Sequence, residues 1–262
     1  MFGADAMPFS TLRLQYAPRI CTVTINRLDR QNSINAQLLE DLHQVLDQLE
    51  ADPDCRLLIL EGQGGVFCTG MDFTEVAGDT SNGADAEKAE TFMRLLRRMS
   101  LSRKIIIAKI DGKVTAGGVG LVAASDFAVA TPRSQFSLSE ALWGLLPACV
   151  VPYLIRRIGF QPAYWMTLST LPFSPEEALN YHLVNEISTD PDEVIRRLLL
   201  RLGRLDEAII FDLKAYFRKM WIVTEQMEQT AIAEITRLVT DPRVRNNIQE
   251  FVNYQRFPWS PR

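Results

Sequence analysis

Three segments of this 262-residue chain combine residue types that could do acyl chemistry: GVFCTGMDF (65–73), TAGGVGLVAASD (115–126) and FSLSEALWGLLPA (136–148). The first two are glycine loops at the ends of apolar runs, where a backbone N–H can approach a ligand that a side chain would block. The third carries an acid, Glu140, at a helix start. Two N–H donors and one carboxylate are the minimum equipment for enolate chemistry, in which the carboxylate removes a proton α to a thioester and the amides hold the developing oxyanion. The adjacent glycines Gly117 and Gly118 admit three readings: amides that approach a phosphate, amides that approach an oxyanion, or a helix packed close to a sheet. The pattern alone does not choose. There is no G-x-x-x-x-G-K-[ST] loop, and AGGVG is not G-x-G-x-x-G, so nothing specific supports the nucleotide reading.

The elements that must position these segments follow from periodicity. LRLQYA and ICTVTIN read as a β-hairpin turning at Pro18 and Arg19. Ile34, Leu38, Leu39, Leu42, Val45, Leu46 and Leu49 recur at helical spacing and predict an amphipathic helix over about 35–50. RLLILEG (56–62) is a buried-strand pattern, and 62–73 reads as a glycine-rich loop. The polar stretch TSNGADAEKAE then precedes a helix at about 86–100 and is expected to be mobile. The strand KIIIAKID, the glycine turn with its small-residue helix, and the strand DFAVA (126–130) repeat the theme. Strand and helix alternate to about residue 190, an α/β arrangement. Beyond it DEVIRRLLLRLGRL, DEAIIFDLKAYFRKMW, TEQMEQTAIAEITRLV and a segment opened by Pro242 are all helical patterns, too small to stand alone and expected to pack on the core or on another subunit.

Composition sets the outer bounds. The 47% apolar and 23% charged fractions are those of a globular protein. No apolar run approaches the roughly 20 residues that span a bilayer, and MFGADAMPFS lacks the layout of a signal peptide, so a cytoplasmic location without membrane contact is expected. Four scattered cysteines (Cys21, Cys55, Cys68, Cys149) and two histidines offer no metal-site spacing. A net charge of −4 argues against nucleic acid as a partner.

The three glycine and acid segments, in their order and spacing, resemble the enoyl-CoA hydratase/isomerase (crotonase) superfamily over essentially the whole chain. Residues 136–174, FSLSEALWGLLPACVVPYLIRRIGFQPAYWMTLSTLPFS, with the ending FPW, look like its polyketide β-branching members, the dehydratases that act on 3-hydroxy-3-methylglutaryl groups tethered to an acyl carrier protein. The resemblance implies a spiral of repeated β-β-α turns over 1–190 and a helical oligomerisation region over 191–262, assembled as a homotrimer or a dimer of trimers. It places the two oxyanion N–H groups on Met71, after Gly70, and on Gly117, next to Gly118. Ordinary hydratases of the family have two glutamates; here the first position falls on Gly120 and only the second, Glu140, is present. A single carboxyl group would then take the α-proton and return it to the departing β-hydroxyl, a syn elimination on one face of the substrate. No cofactor is implied beyond the phosphopantetheine arm of the carrier protein, and no metal.

Each site residue also has a plainer reading. Ser139 and Glu140 would serve as a helix cap and a first-turn acid. Asp72 is a second acid or the cap of a following helix, and Asp126 reads as structural. Ala148 and Cys149 replace the glycine-rich turn that ordinary hydratases carry there; they shape the pocket or merely pack. Phe73, Trp143, Tyr164 and Trp165 would line an acyl pocket or the core. His43 and His182 match no family catalytic position. Arg27 with Arg30, or Arg156 with Arg157, would dock an acidic carrier protein by charge complementarity. The competing functions are a hydratase or isomerase of free acyl-CoA, the decarboxylase of the same pathway, and a silent scaffold that binds carrier protein.

Overall fold

The computed structural model describes residues 9–78, 84–220 and 224–260. The polar stretch at 80–90 is described only from residue 84, so its expected mobility falls partly outside the described residues, as does the N-terminal segment before residue 9.

The chain repeats one unit. The hairpin β1 (Leu12–Ala17) and β2 (Ile20–Ile25) turns at Pro18 and Arg19, with Arg19 at φ 66°, and leads into α1 (Ala36–Ala51). Asn35 caps α1 by accepting the Leu38 N–H at 2.9 Å. Next come β3 (Leu57–Gly62), β4 (Val66–Cys68) and the helices α2 (Phe73–Gly78) and α3 (Ala84–Leu101). The following unit is β5 (Ile105–Ile110), β6 (Lys113–Thr115) and α4 (Gly117–Ala124). The last is β7 (Phe127–Ala130), β8 (Gln135–Ser137), a 3-10 turn at Glu140–Trp143 and α5 (Val151–Ile158). In these last three units the first strand joins a six-stranded sheet, ordered β1-β2-β3-β5-β7-β9, and the second joins a three-stranded sheet, β4-β6-β8. This is the β-β-α repeat that the resemblance implies. It corrects one sequence expectation: residues 62–73 contain β4 as well as loop, and 113–115 and 135–137 are strands too.

The remaining elements are α6 (Phe160–Ser169), α7 (Pro175–Asn180), β9 (Glu186–Ile187), α8 (Pro191–Leu202), α9 (Glu207–Arg218), α10 (Glu225–Val239) and α11 (Pro242–Tyr254). The parallel part of the large sheet is apolar on both faces, as a sheet covered on both sides must be. Leu58, Leu60, Ile106, Ala108 and Ile110 share a core with residues of α1, α3 and α4. Leu57, Ile59, Ile105, Ile107 and Val129 pack with Val194 and Ile195 of α8 and Ile210 of α9. Polar anchors add to that packing. Lys104 is fully buried; its Nζ donates to the Asp52 and Cys55 carbonyls at 2.6 and 2.8 Å and pairs with Glu207 of α9. Lys214 of α9 pairs with Asp126 at 2.7 Å, which confirms Asp126 as structural. Among the described residues no helix is long and apolar enough to cross a membrane.

Candidate active site

β4, β6 and β8 run parallel and adjacent, with Val114 opposite both Cys68 and Phe136, and Thr115 opposite Ser137. Their C-terminal ends therefore lie side by side, and each releases one candidate group within three residues: Met71 after Cys68, Gly117 after Thr115, Glu140 after Ser137. In parallel sheets this is the end at which ligands bind. Cross-bonds hold the three exits together: Ala116 N–H donates to the Ser137 carbonyl at 3.0 Å, and Thr115 Oγ1 to the Thr69 carbonyl at 2.9 Å.

Met71 forms an isolated parallel bridge with Ile34. The bridge uses the flanking groups: Ile34 N–H donates to the Gly70 carbonyl at 2.6 Å and Asp72 N–H to the Ile34 carbonyl at 2.9 Å. By the alternation of a strand, the Met71 N–H then points to the other side, and no described residue accepts it. Ile34 is thus a bridge residue ahead of the Asn35 cap, a correction to its place in the helical pattern. Gly70 sits at φ +82°, and a Cβ there would meet Ala116 Cβ at 2.4 Å and Gly117 N at 3.0 Å, so the two donor segments touch.

The glycine pair divides its work. A Cβ on Gly118 would lie 2.4 Å from the Cys68 carbonyl oxygen, so this glycine lets α4 pack directly on β4. Gly117 is the first residue of α4, where an N–H has no intrahelical acceptor; no described residue accepts it either. The strain of the turn falls on Ala116, at φ 51° and ψ −123°. Residues held in such conformations cluster where the backbone must be aimed.

Glu140 opens a four-residue 3-10 turn rather than a helix, and the Ser139 side chain makes no cap bond, so the capping explanation fails. Its Oε2 is buried with no hydrogen-bond partner among the described residues. Burial pushes its pKa from the ordinary 4.5 to about 7, against the smaller opposing pull of the Glu140 and Ser139 N–H groups. A carboxyl so placed exchanges protons near neutrality. The turn is backed by the C-terminus: Trp143 meets Phe73, Phe251 and Trp259 with ring centroids at 4.9, 5.0 and 5.5 Å. Phe73 and Trp143 are accordingly partners in one aromatic cluster.

The position of the absent first glutamate is tightly packed. A Cβ on Gly120 would meet Val150 Cγ2 at 3.1 Å, Phe92 Cζ at 3.3 Å and Leu96 Cδ1 at 3.5 Å. Phe92, on α3, also reaches within 3.4 Å of a Cβ built on Gly117, so it lies beside both glycines. Sequence reasoning missed Phe92 and Val150, because nothing in a helical apolar pattern marks which rung faces a site. Cys149 is buried with its Sγ 3.9 Å from the Ala89 carbonyl oxygen, and burial pushes its thiol up to about 12, which fits the packing reading. Ala148 is partly buried against the same core.

Other candidates move away from chemistry. Asp72 is buried and paired with Arg27 at 2.9 Å, accepts from Ser33 Oγ at 3.1 Å, and caps α2 through the Thr74 N–H at 3.0 Å. Burial works to raise its pKa, but the Arg27 and Ser33 hydrogen bonds outweigh it and hold the carboxyl below its ordinary value. Both carboxylate oxygens are thus engaged within the protein, which bears out the cap and not the second acid. Arg27 is consequently withdrawn from any docking surface. Arg156 donates to the Ala123 carbonyl, while Arg157 donates to the Ser125 and Leu183 carbonyls at 2.7 and 2.8 Å; this pair, too, is structural. Burial lowers Arg157 to about 10. Tyr164 and Trp165 are more than half exposed on α6 and belong to no core cluster of the described residues. His43 bonds the Thr91 carbonyl and meets Arg98, both at 3.1 Å, a tie between α1 and α3.

Comparison with known proteins places the chain as a whole. The profile of the enoyl-CoA hydratase/isomerase family matches residues 16–261. The chain is 36% identical over 256 residues to the bacillaene synthase dehydratase PksH of Bacillus subtilis, covering 97% of this chain and 98% of that one. It is 29% identical to the enoyl-CoA hydratase EchA19 of Mycobacterium tuberculosis, over 68% of each chain. The crystal structure of PksH from Bacillus subtilis superposes with a TM-score of 0.89 at 34% identity, over 96% of this chain and all of that one. That of an enoyl-CoA hydratase from Mycobacterium avium gives 0.82 at 27% identity, over 96% and 99%.

Proposed function

Because the chain belongs to the enoyl-CoA hydratase/isomerase family, we propose that it dehydrates 3-hydroxy-3-methylglutaryl-acyl carrier protein to 3-methylglutaconyl-acyl carrier protein in polyketide β-branching. Its relatives are named as a dehydratase and as hydratases, and the chain is accordingly a hydro-lyase. The observation that carries the substrate reading is the one carboxyl, Glu140, with its buried Oε2 unpartnered among the described residues, in a site whose other carboxylate position is a glycine, Gly120, packed beside Val150 and Phe92. The likeness to a dehydratase along nearly the whole chain supports it.

The thioester oxygen lies between the Met71 and Gly117 N–H groups, which strengthen their hold as negative charge develops on it. Glu140, as carboxylate, takes the α-proton; the electron pair of that C–H bond passes into the enolate. The same carboxyl then gives its proton to the β-hydroxyl on the same face. The C–O bond breaks, water leaves, the enolate pair closes the C=C bond, and Glu140 is a carboxylate again. A tertiary alcohol favours this path, since its carbon tolerates developing positive charge. Hydration by the two-carboxylate route asks for a second acid to position water, and Gly120 offers none. No cofactor is required beyond the phosphopantetheine arm that carries the substrate.

The assembly is a homotrimer or a dimer of trimers in this reading. Exposed apolar side chains on α6 and α9, among them Phe160, Leu168, Tyr216 and Phe217, give a surface that a partner copy would cover. The test of function is to incubate the protein with 3-hydroxy-3-methylglutaryl-loaded acyl carrier protein and, separately, with the CoA ester, and to follow intact mass. Loss of one water, faster from the carrier-bound substrate, is expected. Equal turnover of the CoA ester would favour a hydratase of free acyl-CoA, and loss of carbon dioxide a decarboxylase.

A further inference from the structure

The mechanism leaves a buried ion pair unexplained beside the Met71 donor. Arg27 follows the end of β2, and its backbone N–H donates to Asn32 Oδ1 at 2.9 Å. Asn32 Nδ2 in turn donates to the Gln63 and Val66 carbonyls at 3.0 and 2.6 Å, so this bend is fastened to β3 and β4. The Arg27 guanidinium reaches three atoms: the Ser33 carbonyl, Ser33 Oγ at 3.2 Å and Asp72 Oδ2 at 2.9 Å. Ser33 Oγ also donates to Asp72 Oδ2, at 3.1 Å. Segments 32–34 and 70–74 are therefore joined twice, by backbone through the Ile34 bridge and by side chain through Asp72, and the one residue between the joins is Met71.

We propose that Arg27, Ser33 and Asp72 form a positioning clamp that fixes the direction of the Met71 N–H. The assignment rests on the reading of Met71 as an oxyanion donor. The Gly70 carbonyl, in the same planar peptide as the Met71 N–H, accepts from the Ile34 N–H at 2.6 Å, so the N–H is aimed only as well as segment 33–34 is held against 70–72. Asp72 supplies that hold with every part it has: its N–H goes to the Ile34 carbonyl, one carboxylate oxygen to Arg27 and Ser33, the other to the Thr74 N–H. Asp72 and Ser33 are buried and the Arg27 side chain is 13% exposed, so water does not compete for these bonds. A donor misaimed by about an ångström loses on the order of 100-fold in rate without a matching loss of substrate binding.

The test compares Asp72→Asn, Ser33→Ala and the pair Arg27→Met and Arg27→Lys. The first readout is the carbonyl stretch of bound [1-13C]butyryl-CoA, an unreactive thioester, by difference Raman spectroscopy. The second is turnover of 3-hydroxy-3-methylglutaryl-loaded carrier protein. The wild-type protein is expected to shift the carbonyl to lower frequency. Asp72→Asn and Arg27→Met should lose most of that shift and about 10- to 100-fold in kcat, with KM within about 3-fold. Ser33→Ala keeps the ion pair and should fall between, and Arg27→Lys should recover part of both readouts. Should Arg27→Met fail to fold, Ser33→Ala and Arg27→Lys still decide the matter. A full carbonyl shift in Asp72→Asn, or a loss confined to KM, would overturn the clamp. A wild-type protein that shifts the carbonyl but leaves the carrier-bound substrate unchanged would sink the dehydratase reading alone.

Discussion

With its pKa pushed to about 7 by burial, Glu140 is ionised and protonated in comparable amounts near neutrality. In the proposed role of base it must be ionised in the free enzyme, so kcat/KM should climb with pH through about 7 and level off above it. The same shift bears on stability. The folded state binds this proton more tightly than the unfolded chain does, so the group's contribution is full below about 4.5 and is lost as pH rises towards 7. Glu140→Gln should therefore be more stable than wild type at pH 8, by on the order of 3 kcal/mol, and no more stable at pH 4, as measured by urea unfolding. Equal stability at both pH values would mean that the carboxyl is solvated. At this scale the sequence marked Glu140 and the two glycine loops, and the family resemblance placed donors on Met71 and Gly117; the structure brings the three segments to one end of a sheet. It did not reveal what Asp72 touches. A carboxylate followed by a helix looks the same whether it faces a substrate or an arginine 45 residues away.

The elements explain why the three groups meet. β4, β6 and β8 are three residues each, too short for alternation to register, and each hides inside what reads as a glycine-rich or turn segment. The six-residue strands Leu57–Gly62 and Ile105–Ile110 were legible because both faces are buried and the apolar run is continuous. The sequence thus exposed the scaffold and the candidate residues but not the small sheet that joins them. The same limit applies to Gly120. The resemblance marks a missing glutamate there, whereas only the packing shows that Val150 and Phe92 would have to give way to a side chain. Gly120→Glu should accordingly not create a hydratase. It should destabilise by about 1–3 kcal/mol through overpacking, read by thermal or urea unfolding, and leave hydration of short enoyl-CoA esters undetectable. Efficient hydration by this variant would show that the position has room.

The molecule as a whole depends on helices that the sequence identified as helices and could not dock. α8 and α9 cover the outer face of the large sheet, and α9 is tied down by Glu207 on Lys104 and by Lys214 on Asp126. Glu207→Ala leaves the buried Lys104 ammonium with carbonyl partners alone, and should cost about 3 kcal/mol in urea unfolding. The arginines proposed from sequence as a carrier-protein dock fare unevenly. Runs such as IRRIG look like solvated charge, yet Arg156 and Arg157 turn inward to carbonyls near α4 and β9, and Arg27 to Asp72. Arg30 remains at the surface, its side chain 48% exposed. Arg30→Glu should raise KM for carrier-bound substrate about 5-fold at low salt and leave the CoA ester unaffected. An equal effect on both substrates would place Arg30 in the acyl site rather than in the dock.

In the proposed reaction one carboxyl group, Glu140, moves the proton in both directions. Single-turnover dehydration of 3-hydroxy-3-methylglutaryl-loaded carrier protein by wild type and Glu140→Gln tests it most directly, with intact mass as the readout. The expected result is a loss of about 100- to 10,000-fold in the variant, the range for removal of a general acid and base, with carrier binding intact. Dehydration by Glu140→Gln at the wild-type rate would contradict it.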